Sequence, residues 1–263
     1  MSTNPARVAR RIAPLVLALS ALACNLTSYR ATPTPTLPAA PVAATSTLIP
    51  TMTPISKATA TAASPSEPSI NNAAKPPGSG NVLFADSFDT RSNRWEQFED
   101  EVVSAHYVPG RFRIDVKTPG ETVWSVPDVE LRAGDALFEA EATLLAGPPD
   151  VRYGLVFRYQ GAFDFYLFTV SGDGAAAFDR LQGGEWRALR DAAASSAVAV
   201  GQGATNRLGV LAAGDRFTFY VNGEEVAQAT DGAFASGGVA LLVATGAEGG
   251  AEVAFDNVSV VSR

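Results

Sequence analysis

Two glutamates, Glu139 and Glu141, stand one residue apart in the run ALFEAEATLL. On an extended strand, positions i and i+2 share a face at roughly 7 Å, near the spacing at which paired carboxylates act as acid and base, or acid and nucleophile, on a glycosidic bond. The same pair has a plainer use as the wet face of an amphipathic strand, and the sequence leaves both open. His106, in SAHYVPG, is the single histidine and would have to serve any Ser-His-Asp arrangement alone, so a loop or edge-strand role is the simpler expectation.

A second group of residues suits binding rather than catalysis. Sugars present CH faces that stack on aromatic rings and hydroxyls that suit planar polar groups. Arg158 and Tyr166, on neighbouring expected strands, are expected to share a groove, with Asp164, Arg180, Trp186 and Trp124 at its rim. Set against this, each tyrosine and tryptophan could be ordinary core or edge packing. Asp86, Asp89 and Asp256 lie near the first and last expected strands and could together hold a structural Ca²⁺. With one histidine and one cysteine there is no set of transition-metal ligands, and no other cofactor is expected.

The elements that must position these residues are strands. From Asn81 onward the chain breaks into short alternating runs punctuated by Gly, Pro, Asn and Asp, among them RFRIDV, ALFEAEATLL, RYGLVFRYQ and DFYLFTVS. WRALRDAAASSAVAV comes nearest to a helical pattern and is read as strand followed by loop. Alternation assigns faces: Tyr153, Leu155, Phe157 and Tyr159 to one side, and Arg152, Gly154, Val156, Arg158 and Gln160 to the other. Phe138, Ala140, Ala142 and Leu144 likewise oppose Glu139, Glu141 and Thr143. Asn222-Gly223 supplies the positive φ of a two-residue hairpin. About a dozen strands over 81–263, each with one apolar face, predict an all-β domain of two stacked antiparallel sheets in a jelly-roll sandwich.

These runs resemble the concanavalin A-like lectin/glucanase superfamily, in its laminin-G-like and 3-keto-disaccharide hydrolase-like branches. LFADSFDTRSNRW resembles the first strand and the loop after it, YGLVFRYQGAFDFYLFTVSGDG the paired central strands, and TNRLGVLAAGDRFTFYVNGEEV the late hairpin. DGAFASGGVALLV and VAFDNVSV resemble the closing turns and strand. The resemblance implies the sandwich fold and the pairing of first and last strands; activity is not carried by fold. Retaining glucanases of this superfamily carry Glu-x-Asp-x-(x)-Glu along one strand, whereas this chain has Glu141 at the middle position and Thr143 where the next acid would fall.

The N-terminal third is of another kind. Arg7, Arg10 and Arg11 precede the apolar run 12–23, which ends at Cys24, the chain's one cysteine. Twelve residues at about 1.5 Å rise reach roughly 18 Å, short of the roughly 30 Å hydrocarbon core, so export rather than a permanent span is expected. Residues 20–24 resemble a bacterial lipoprotein signal, although Ala21 stands where leucine is usual. The resemblance implies cleavage after Ala23 and acylation of Cys24, giving a lipid-anchored protein on the extracytoplasmic face of the membrane. The Thr/Pro/Ala/Ser tract after Cys24, to about residue 80, carries too little apolar surface to fold and is expected to be a disordered tether. Of 20 basic and 27 acidic residues, 14 and 26 fall in 80–263, a net of about −12. Such a field repels phosphodiesters and excludes nucleic acid as a partner. The expectation is a displayed, non-catalytic recognition module for carbohydrate or another envelope polymer. A structural or protein-interaction domain of the envelope is the first alternative, and a sugar-active hydrolase the second.

Overall fold

The computed structural model describes residues 11–12, 80–91 and 94–263. The expected signal segment apart from Arg11 and Ile12, Cys24 and the Thr/Pro-rich tract lie outside the described residues. The strands are β1 (Arg11–Ile12), β2 (Val82–Asp86), β3 (Phe98–Glu99), β4 (Val103–Val108), β5 (Arg111–Val116) and β6 (Thr122–Ser125). They continue with β7 (Ala136–Ala146), β8 (Arg152–Gly161), β9 (Asp164–Ser171), β10 (Ala175–Gln182) and β11 (Glu185–Ala194). The last are β12 (Thr205–Ala213), β13 (Arg216–Val221), β14 (Glu224–Thr230), β15 (Gly238–Ala244) and β16 (Ala251–Ser262). WRALRDAAASSAVAV thus supplies β11 and the turn after it, as its pattern predicts.

Two antiparallel sheets result. One has seven strands in the order β1-β6-β15-β8-β9-β10-β11; the other runs β14-β13-β12-β7-β16-β5-β4-β3, with β2 added alongside β16. First and last strands of the domain pair, Asp86 lying opposite Val258 and Phe84 opposite Val260. The hairpin at Asn222-Gly223 has both residues at positive φ, 52° and 86°, the geometry whose twist matches the flanking strands.

Alternation puts Phe138, Ala140, Ala142 and Leu144 of β7 in the core with Tyr153, Leu155 and Phe157 of β8. Between the sheets the rings interleave: Tyr166 and Phe217 centroids are 4.9 Å apart, Phe178 and Phe219 4.3 Å, Phe157 and Phe217 5.3 Å. A second aromatic group, Phe84, Phe88, Trp95, Tyr107 and Phe112, packs under the loop after β2.

The simple alternation of β8 ends at Arg158. There the backbone enters the left-handed region (φ 48°) and the β8–β9 register slips after Phe157, a bulge that turns the Arg158 side chain inward. Tyr159 is displaced the other way and joins the apolar cluster on the outer face of the seven-stranded sheet. The expected faces of these two residues are therefore exchanged.

Candidate functional site

The outer face of the seven-stranded sheet carries its own apolar cluster: Trp124, Val156, Phe165, Leu167, Leu181, Ala240 and Leu242. Pairing registers explain its layout. Trp124 lies opposite Leu242, Leu242 opposite Gly154, and Gly154 opposite Thr169, so these residues form one row across four strands. Gly154 leaves that row without a side chain at its centre, and a Cβ there would lie 2.2 Å from the carbonyl oxygen of Phe168. The next row runs Ala240, Val156, Leu167, Asp179.

A polar group crosses this floor. Arg152 donates from Nη2 to Thr169 Oγ1 at 2.8 Å and to the carboxylate of Asp179, one strand further on. Asp179 is largely buried beside the aliphatic floor, so the guanidinium is its balancing charge. At the sheet edge Trp186 stands 44% exposed, its ring edge-on to Phe165 (5.9 Å, 78°), while Phe165 meets Trp124 edge-on at 5.5 Å and stacks on Tyr159 at 6.0 Å. Thr122, Arg152, Thr169, Asp179, Leu242 and Trp186 line a hollow of about 240 Å³ with Leu167 and Ala244. An exposed indole beside a fixed guanidinium–carboxylate pair and two hydroxyls can hold a ligand having one apolar face and several hydroxyl groups.

The six residues expected to bind do not meet in one place. Trp124 and Trp186 belong to this outer face. Asp164 accepts from Gly183 N at 3.0 Å and so pins the β10–β11 turn two residues before Glu185. Arg158 and Tyr166 are corrected: they come together inside the sandwich, each no more than 1% exposed, rather than on a groove floor. Tyr166 pairs with Phe157 and shares its inward face, and the bulge brings Arg158 to the same side. Arg158 lies 5.0 Å over the Phe217 ring and donates to Phe234 O (2.8 Å) and Gly134 O (3.2 Å). Burial lowers its pKa, with Tyr166 and Asp135 opposing the shift.

Arg180, paired with Tyr166, also faces that way and donates to Asp231 at 2.6 Å. Tyr166 Oη donates to Asp231 Oδ1 at 2.6 Å and accepts from Phe234 N at 3.2 Å. Burial, reinforced by the contact with Asp231, pushes the Tyr166 phenol up to about 12. Burial opposes ionisation of Asp231, but the donors Tyr166, Ala233 N and Arg180 outweigh it and hold its pKa below the usual carboxylate value. Arg158, Tyr166 and Arg180 are thus the latch of the 231–238 loop rather than parts of a binding groove.

Glu139 and Glu141 face outward from the nine-stranded sheet, as alternation predicts. Glu139 accepts from Arg207 at 2.8 Å, and Glu141 accepts from Asn257 at 3.1 Å. Neither lines any of the four hollows described for this domain. Asp256, opposite Glu141 in the ladder, is raised by burial and by the charges of Glu141 and Asp89, partly offset by Asn257 N and Arg111. His106 lies on β4 opposite Arg113, half-buried.

Among the described residues no group of three or more His, Cys, Asp or Glu side chains is placed to hold a metal ion, Asp86, Asp89 and Asp256 included. Asp86 instead accepts from Phe88 N (2.9 Å) and Trp95 Nε1 (3.2 Å), fastening the aromatic group beneath its loop. Asp86→Ala is therefore expected to lower the unfolding free energy by about 1–3 kcal/mol, because a buried indole N–H is left without an acceptor. Urea denaturation with Ca²⁺ and with a chelator should give the same loss in both.

Alternation assigns Arg152 to this face without marking it as part of a site, and nothing in the sequence reading singles out Asp179. The available signal is an acid between Phe178 and Arg180, on the side of the strand opposite the core phenylalanine.

No protein-family model matches the chain, and no curated protein matches it in sequence. Solved structures do resemble it. The carbohydrate-binding module CBM66 from Bacillus subtilis superposes with a TM-score of 0.51 at 19% identity, over 64% of this chain and 96% of that one. A Bacillus subtilis protein of unknown function with a galectin-like fold superposes with a TM-score of 0.52 at 9% identity, over 70% and 98%. At such identities the likeness is one of fold: residues 80–263 form an all-β jelly-roll sandwich of two antiparallel sheets, the architecture of galectin-like and carbohydrate-binding domains.

Proposed function

We propose that this protein is a non-catalytic carbohydrate-recognition module, displayed outside the cell on a lipid anchor at Cys24 and a Thr/Pro-rich tether. The observation that carries the reading is the exposed Trp186 beside the Arg152–Asp179 pair on the outer face of the seven-stranded sheet. Likeness of fold to a carbohydrate-binding module supports it. The ligand is a neutral glycan: a sugar ring lies on the Trp186 indole and its hydroxyls meet Asp179, Arg152 and Thr169. A hydrolytic reading fares less well, because Glu139 is paired with Arg207 and neither glutamate borders any of the four hollows above.

The test is a glycan array followed by calorimetric titration with the full chain. Saturable binding to a neutral polysaccharide is expected, and Asp179→Asn should weaken it about tenfold by removing a charged acceptor. Absence of binding to every glycan overturns the proposal. The anchor is tested separately by mass spectrometry of the membrane-extracted protein, where an unmodified Cys24 thiol overturns it.

A further inference from the structure

Where the two sheets part, between edge strands β11 and β14, lies a cleft unrelated to the outer face. Its larger part, about 510 Å³, has a floor of Phe168, Phe178 and Phe219 and walls that include Ala176 and Ala227. Its smaller part, about 360 Å³, is lined by Arg190, Arg216, Thr218, Gln228 and Thr230 together with the apolar Phe217 and Ala229, with no acidic side chain among its lining residues. Leu189 and Arg190 border both parts. The large part exists because alanines stand where larger apolar residues would close it: Ala227 on edge strand β14 sits directly opposite Phe219, and Ala176 on β10, beside edge strand β11, opposite Val170. Arg190 Nε donates to Gln228 O at 2.9 Å, which ties the guanidinium across the gap.

The larger part is thus mainly apolar and aromatic, and the adjoining part carries two arginines and no acid, in a domain whose formal charge is about −12. A sugar would find no converging polar groups on the phenylalanine floor. A single alkyl chain ending in a carboxylate matches both halves: the chain buries against the rings, and the head reaches Arg190 and Arg216. Asp191 and Ser195 border the apolar half at its rim. Repulsion by Asp191 favours the orientation with the carboxylate in the two-arginine half. The size falls within the range of small-molecule pockets.

We infer that the cleft between β11 and β14 binds a long-chain fatty acid, its alkyl chain over Phe168, Phe178 and Phe219 and its carboxylate at Arg190 and Arg216. The site is separate from the glycan face and stands or falls independently of it.

The test is titration of the full chain with dodecanoate, decanoate and dodecanol below their aggregation concentrations. Dodecanoate is expected to bind saturably. Decanoate should bind about fifteenfold more weakly, at about fourfold per buried methylene. Arg190→Gln should weaken dodecanoate about fivefold and leave dodecanol unchanged. Ala227→Phe, on a half-exposed edge strand, fills the cleft and should abolish saturable binding while glycan binding and the thermal midpoint stay as in the unaltered chain. No saturable binding overturns the inference, as does binding that survives Ala227→Phe in a folded variant. Should that variant fail to fold, Ala176→Leu from the opposite wall makes the same test.

Discussion

Asp231→Ala lowers the unfolding free energy by about 3 kcal/mol, the largest loss expected from any single polar substitution in this domain. Its carboxylate accepts from Tyr166 Oη, Arg180 Nη1 and Ala233 N, and the side chain is 8% exposed. Truncation leaves the Arg180 guanidinium nearly buried without its counter-charge, and Arg180 Nε has no hydrogen-bond partner to begin with. It also takes from the Tyr166 hydroxyl its shorter acceptor, leaving that hydroxyl, which holds Phe234 N, only the backbone carbonyl of residue 231 at 3.0 Å, so the loop fixed from the other side by Arg158 is held less firmly. Urea denaturation at neutral pH measures the loss, and an effect below about 1 kcal/mol would show that the latch is ornamental to stability.

Two titrations give the latch a pH signature. Asp231 has its pKa lowered in the folded chain, so the folded state binds fewer protons than the unfolded one near that pKa. Its contribution is present above the unfolded value of about 4 and is lost as the pH falls through the lower folded value. Tyr166 is the opposite case, raised to about 12 from 10.0. Its contribution is present below about pH 10 and is lost as the pH rises toward about 12. In Tyr166→Phe the alkaline decline should be shallower than in the unaltered chain, and in Asp231→Asn the acid decline should be shallower.

The period-2 pattern of apolar residues carries the fold openly, because each strand buries one face and the core residues are those on that face. Phe138 to Leu144 and Tyr153 to Phe157 fall where alternation places them. Alternation fails at Arg158 for a physical reason: a non-glycine residue at positive φ leaves no mark in composition, and a one-residue bulge reverses the face of the residues beyond it. That reversal makes a core residue of an expected ligand arginine and moves Tyr159 outward. The candidate site is half legible. Trp124 and Trp186 are large and conspicuous, so the sequence singles them out. The Arg152–Thr169–Asp179 line depends on the register of three adjacent strands, and register is set by bulges and turns that the pattern of one strand does not reveal. Asp231 is invisible for a related reason. It lies 65 residues from Tyr166 and 51 from Arg180, in a turn-rich segment where aspartate is the ordinary choice.

Trp186→Ala is the decisive substitution for function, with glycan affinity expected to fall about thirtyfold, the loss of about 2 kcal/mol typical of a central aromatic contact. The ring is 44% exposed and meets Phe165 edge-on, so truncation removes little packing and the thermal midpoint should hardly move. Trp186→Phe keeps a flat apolar face and should retain most of the affinity. Trp124→Ala makes a poor probe by comparison: Trp124 is 1% exposed within the outer-face cluster, and its loss is expected to cost about 3–5 kcal/mol of stability whatever it does for binding. The contrast between the two tryptophans separates recognition from architecture. If glycan binding is unchanged in Trp186→Ala, the sugar sits elsewhere on the sandwich and the outer face of the seven-stranded sheet loses its claim. If binding falls as expected while Asp179→Asn has no effect, stacking alone holds the ligand, and selectivity among neutral glycans should be weak, because ring faces differ less between sugars than the directions of their hydroxyls.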